Sequence, residues 1–200
     1  SRSPPPKKPS PALYPSGTKS AFATSPRTGP VAPDRFESLR QRKENKLQEH
    51  KLRMVNMFLH DFESRIYFTY RETFPALYPT DVTTDLGWGC MIRTCQMMVA
   101  HAMVVKFLGR SWRLKPSDKD AGSLHCNLIR WFADLPAIDV PYSIHRICHV
   151  GQRVFKRKVG QWYEPSVVAK IFKVLVERHR PGSMALCVAR DGVLYTRDIL

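Results

Sequence analysis

The run Asp85-Leu86-Gly87-Trp88-Gly89-Cys90-Met91-Ile92-Arg93 holds the densest chemistry in the chain. Two glycines allow the backbone to turn tightly and to approach a substrate closely. Cys90 follows the turn directly and opens a long apolar stretch that reads as a helix. At a helix start, unpaired N–H groups and the positive end of the dipole favour a thiolate, the form of cysteine that acts as a nucleophile. The same N–H groups can serve a developing oxyanion. A buried structural cysteine would also suit this place, since free Cys is among the most buried residue types. The glycine turn immediately before an apolar helix favours the nucleophile.

That cysteine needs elements to position it. Residues 90–108 carry only Arg93 and Lys106 as charged side chains. Cys90, Thr94, Met97, Met98, His101, Val105 and Leu108 line one side of the predicted helix. Met91, Ile92, Cys95, Val99, Ala102 and Met103 line the other. A helix apolar all round is expected to be the central, buried one. Upstream, Val55, Phe58, Leu59 and Phe62 recur at helical spacing and are expected to start the core. Ile66 to Tyr70 suits a strand or the end of that helix, and residues 75–89 a loop. Downstream, Leu124 to Phe132 and Tyr142 to Val150 read as short helices. Pro165-Ser166 starts another, with Val167, Val168, Ile171, Phe172, Val174 and Leu175 on its core side, and Pro181-Gly182 ends it. Met184 to Ala189 and Val193 to Thr196 flank Asp191-Gly192, a strong two-residue hairpin signal. Helices first and strands last predict an α+β fold.

The 200 residues, 43% of them hydrophobic, suffice for one domain with a substantial core. The net charge of +15 taken alone suggests nucleic acid or an anionic membrane as partner. Its distribution argues otherwise. Residues 1–53 contribute +8 from 12 basic and 4 acidic side chains, and the rest of the chain is only mildly basic. Residues 1–33 hold 9 of the 16 prolines and are expected to be a disordered Pro/Ser/Lys-rich tail. Residues 34–53 read as a charged helical lead-in. No aromatic residues alternate with its bases, so no nucleic-acid partner is expected. No run of 18 uninterrupted apolar residues is present, so no membrane-spanning helix is predicted. Five irregularly spaced cysteines argue for free thiols in a reducing, cytoplasmic setting. His145-x-x-Cys148-His149 lacks paired half-sites, so no metal and no other cofactor is assigned. The opening Ser1-Arg2-Ser3 and the last residues Asp198-Ile199-Leu200, which follow a predicted strand and show no stop signal, suggest a fragment.

Several runs in order carry a resemblance. Ser64-Arg65-Ile66-Tyr67-Phe68-Thr69-Tyr70-Arg71, Thr83-Thr84-Asp85 leading into Gly87-Trp88-Gly89-Cys90, and Gln96-Met97 are similar to segments of the autophagins. Phe107-Leu108-Gly109-Arg110-Ser111-Trp112, Tyr142-Ser143-Ile144-His145 and Gly160-Gln161-Trp162-Tyr163 continue the series. Autophagins are autophagy-related cysteine proteases with a papain-like fold. The resemblance implies that residues 54–200 are the N-terminal part of a papain-like peptidase domain that continues beyond residue 200. The basic extension resembles those of the longer-tailed paralogues.

The resemblance also implies roles. Cys90 matches the nucleophile, Tyr70 a tyrosine whose hydroxyl helps form the oxyanion hole, and Trp162 a tryptophan that covers the substrate tail. The family cleaves a ubiquitin-like autophagy modifier (GABARAP-like) after a C-terminal glycine and releases it from phosphatidylethanolamine. The implied partners are that modifier and, transiently, a phosphatidylethanolamine-containing membrane, met by a monomer. Without the family, Tyr70 reads as a buried aromatic, Trp162 as ordinary packing, Trp88 as a wedge in the turn, and His101 as a core histidine.

The family's base and its orienting aspartate lie in a downstream Asp-Pro-His run, and no such run occurs here. His125, His145, His149 and His179 follow Cys90 outside any matching motif, so none is assigned. The 200 residues alone are therefore expected to lack peptidase activity. Cys95 and Glu164 stand where the family usually carries glycine. A non-catalytic modifier-binding protein with a papain-like groove is the alternative, favoured if no Asp-Pro-His run follows. Phe36-Glu37-Ser38-Leu39 fits either a docking motif for such modifiers or a helix start.

Overall fold

The computed structural model describes residues 35–189 and 192–198. Among the described residues five α-helices run in order: α1 (Arg35–Glu63), α2 (Cys90–Leu108), α3 (Leu124–Arg130), α4 (Ile144–Phe155) and α5 (Pro165–His179). Single 3-10 turns occur at Pro116–Lys119, Pro181–Ser183 and Thr196–Asp198.

The helices start and stop where local chemistry directs. The Ser143 hydroxyl accepts from Arg146 N at 3.2 Å and caps α4, and Ser123 does the same for Cys126 N in α3. Pro165 occupies the first turn of α5, where a missing N–H costs nothing. α3 and α5 pack on α2, α4 packs on α5, and their apolar faces share one core. Ile92, Met103, Leu128, Ile144, Ile147, Ile171 and Phe172 are fully buried there. One close approach depends on a missing side chain. A Cβ at Gly151 of α4 would lie 2.8 Å from the Tyr163 hydroxyl, so glycine lets that ring reach the core.

Three expectations need correction. The helix α2 begins at Cys90 as expected but is not buried all round. Thr94, Met98, Ala102 and Lys106, four residues apart, form a seam open to solvent, with Met98 59% exposed. An apolar sequence shows that a helix could be enclosed, but neighbours decide which sides are. The core does not begin at Met54 either. The chain divides into compact units at Leu47 and Gln48. In the first, the described residues are the opening part of α1. In the second, Val55, Phe58, Leu59 and Phe62 ride exposed on its later part, and no residue of α1 is buried. Burial starts at Ser64, whose hydroxyl donates to His60 O and accepts from Leu114 N, and at Phe68.

The expected strands are the third correction. Ile66 to Tyr70 and Met184 to Ala189 have no regular structure, and among the described residues only Val193 makes a bridge. Alternating side chains mark residues able to pair but do not supply the partner a lone strand needs. Asp191 of the predicted hairpin lies outside the described residues, as does the expected disordered tail, 1–33. Phe36 to Leu39 lie within α1.

Candidate active site

The glycine turn folds around one carboxylate. Trp88 N and Gly89 N both donate to Asp85 O, at 3.2 and 2.8 Å, and Gly87 takes a left-handed φ of 82°. The Trp88 indole N–H donates to Thr84 O at 2.9 Å while its ring packs near Tyr163, so this buried tryptophan wedges the turn shut. A Cβ at Gly89 would fall 2.3 Å from Asp85 Oδ2. Only glycine lets the backbone pass that carboxylate, and Cys90 is the next residue.

Beneath the turn sits a buried ionic cluster. The Arg93 guanidinium donates from Nε to Asp85 Oδ2 at 2.7 Å, and from Nη1 and Nη2 to the two oxygens of Asp134 at 2.9 and 3.1 Å. Nη1 also reaches Gln96 Oε1 at 3.0 Å, and the Gln96 amide donates to Tyr142 O at 2.8 Å. Burial alone would push Arg93 toward its neutral form. The two carboxylates outweigh burial and hold its pKa above the ordinary arginine value. Asp85 Oδ1 accepts from Arg71 N at 2.7 Å, which ties the segment carrying Tyr70 to the turn carrying Cys90. The Arg71 side chain adds an ion pair with Asp134 at 3.2 Å.

These supports place Cys90, half-buried, on the first turn of α2. Gly89 offers no side chain to cap that end, so its N–H groups are available to an anion. The Trp162 indole N–H donates to Cys90 Sγ at 3.1 Å, from 72 residues away in the chain, and the ring is 55% exposed. Beside the thiol lies a hollow of about 410 Å³ lined by Tyr67, Phe68, Thr69, Tyr70, Cys90 and Met97, among others. Tyr70 is 46% exposed, so it is not the buried aromatic that its residue type alone suggests.

Cys90, Tyr70 and Trp162 thus lie at one place. Three of the four downstream histidines are engaged elsewhere: His145 with Pro75 O at 2.7 Å, His179 with the Tyr142 hydroxyl at 2.9 Å, and His125 against the Trp112 ring. Cys95 faces the core, where burial pushes its thiol up to about 12. Glu164 precedes α5 and pairs with Arg157 at 3.0 Å. Among the described residues no three His, Cys, Asp or Glu side chains gather as metal ligands. The roles of Asp85 and Asp134 were missed in the sequence. The available signal was Arg93, a charge near the start of an otherwise apolar helix, eight positions after Asp85.

A half-buried thiol on an uncapped helix start, with an indole on its sulfur and a phenol-lined hollow beside it, is an arrangement of the cysteine-peptidase kind. The profile of the Peptidase C54 catalytic domain matches residues 55–200. The chain belongs to that family, the autophagins. It is 38% identical over 159 residues to the cysteine protease atg-4.2 of Caenorhabditis elegans, covering 71% of this chain and 30% of that protein. It is 38% identical over 139 residues to the cysteine protease ATG4B of Gallus gallus, covering 70% and 34%. Against the cysteine protease ATG4D of Xenopus laevis the identity is 31% over 187 residues, covering 72% and 39%. The chain therefore spans roughly a third of the length of these relatives. Family membership implies the papain-like fold, and the described residues supply a helical portion of it.

Proposed function

We propose that this chain is the nucleophile-bearing part of a cytoplasmic thiol endopeptidase of autophagy. Its substrate is a ubiquitin-like modifier, cleaved after a C-terminal glycine and also released from phosphatidylethanolamine at a membrane. The observation that carries the reading is the Trp162 indole N–H on Cys90 Sγ at 3.1 Å, at the edge of the Tyr70 hollow.

The chemistry follows from that geometry. The Cys90 sulfur attacks the glycyl carbonyl carbon, and its proton passes to a base. Negative charge develops on the carbonyl oxygen, where the Cys90 backbone N–H and the Tyr70 hydroxyl can receive it. The amine of the following residue, or of the lipid headgroup, leaves with a proton, and water then hydrolyses the thioester. Trp162 lies over the sulfur, so the tail must pass beneath an indole. A residue without a Cβ does so most easily, which suits cleavage after glycine. The base and its orienting group are assigned to the family's Asp-Pro-His run, absent from these 200 residues.

Two measurements test the proposal. The chain alone should be captured covalently by a modifier bearing a C-terminal electrophile, and Cys90→Ser should abolish capture. Capture at Cys126 or Cys187 instead would remove the assignment. The chain continued through the C-terminal part of the chicken ATG4B protein should cleave a modifier–reporter fusion, with activity lost in Cys90→Ser. A chimera that binds the modifier without cleaving it would favour the non-catalytic alternative.

A further inference from the structure

A second hollow, of about 290 Å³, opens between the last turn of α1, the C-terminal half of α2 and residues 109–113. It shares no lining residue with the hollow beside Cys90. At 1.5 Å per helical residue, His101 stands roughly 16 Å along α2 from the thiol, and Arg110 farther still.

Its charges do not balance. Arg65, Arg110, Arg113 and His101 face it with one carboxylate, Asp61. Asp61 is divided between Arg65 Nη2 and Arg113 Nη2, each at 2.6 Å. Arg113 turns Nη1 to the carbonyls of Trp112 and Arg110, at 2.8 and 3.3 Å. Arg110 has no ion pair among the described residues. Arg65 Nη1 is hydrogen-bonded to the His101 ring. A guanidinium carries no acceptor, so it can donate to a ring nitrogen only while the imidazole is neutral. Burial first, then the charges of Arg65 and Arg110, lower the His101 pKa, and Asp61 opposes them. With His101 neutral, three guanidiniums and one carboxylate leave an excess of two positive charges. Val104, Val105 and Trp112 complete its wall.

We infer that this hollow is a binding site for a phosphate monoester. A dianion matches the excess charge, and its tetrahedral oxygens suit forked guanidinium donors, which bind phosphate bidentately. Arg110 and Arg65 Nη1 supply the donors. A single carboxylate would neutralise only half the excess. The phosphate can come free in solution or as a lipid headgroup.

The test uses the chain as it stands. Inorganic phosphate is titrated by calorimetry, and binding to phosphatidylcholine vesicles with and without phosphatidic acid is measured by sedimentation. Arg110→Gln should weaken phosphate binding about tenfold, which is ~1.4 kcal/mol. The control Arg40→Gln removes the same charge from an exposed site on α1 and should leave binding unchanged. Phosphatidic-acid-dependent sedimentation lost in Arg110→Gln assigns a lipid source. Phosphate binding without it assigns a soluble one. No binding in either format, or equal losses in Arg110→Gln and Arg40→Gln, overturns the inference. Cys90 labelling should not change in Arg110→Gln, which separates this site from the proposed peptidase chemistry.

Discussion

Replacing Asp85 with Asn tests what holds the Cys90 turn in place. The substitution keeps the shape and one acceptor. Asn Oδ1 can still receive Arg71 N, now bonded at 2.7 Å. The other oxygen becomes an NH2 group facing Arg93 Nε–H, at present 2.7 Å away, so donor meets donor. Both residues are buried, Asp85 completely, and the arginine is left with a single carboxylate. Breaking a buried ion pair from one side costs about 3–5 kcal/mol, and retention of Asp134 places this case near the lower end. With a urea m-value of about 2 kcal/mol/M, the unfolding midpoint should fall by ~1.5 M. Arg71→Gln is the internal comparison. It removes a half-exposed ion pair to Asp134 at 3.2 Å and should cost no more than about 1 kcal/mol. The assay is urea unfolding followed by tryptophan fluorescence, with Cys90 alkylation measured below the transition. If Asp85→Asn loses no more stability than Arg71→Gln, the cluster is not what secures the turn.

Two further predictions concern protons and thiols. Iodoacetamide should label Cys90 well before Cys95 and Cys148, whose thiols burial holds at about 12, as mass spectrometry of the native chain would show; equal rates would count against both the buried and the activated assignments. His179, hydrogen-bonded to Tyr142, has a pKa lowered from 6.5 by burial, so the unfolded chain binds that proton more tightly. Stability should be complete above pH 6.5 and decline as the pH falls toward the lowered folded value. His101 shifts in the same direction, so His179→Gln should flatten part of the decline in urea midpoint against pH, and an unchanged slope would refute the assignment.

Much of the helical frame was legible because it is written locally. The glycine turn fixes where α2 begins, and Pro165 and Pro181 bracket α5. What escaped depends on partners distant in the chain. The periodicity of Val55, Phe58, Leu59 and Phe62 reveals an apolar side but not whether anything covers it, and nothing among the described residues buries it. The tie from Arg93 to Asp134 crosses 41 residues with no motif to announce it. At the candidate site, the Cys90 turn could be argued from backbone chemistry. The placing of Tyr70 and Trp162 beside it rested on family resemblance, because a lone tyrosine or tryptophan carries no address.

The exposed character of α1 bears on how this chain should melt. A helix of 29 residues with no buried side chain gains almost none of the cooperativity that packing gives α2 to α5. It contributes strongly to far-ultraviolet circular dichroism, whereas Trp88, Trp112, Trp131 and Trp162 all lie after it. Ellipticity should therefore begin to fall before fluorescence changes, and a van't Hoff enthalpy from ellipticity should fall short of the calorimetric one. A single melting temperature would average a fraying rod with a cooperative core, and stability comparisons among variants belong to the tryptophan signal.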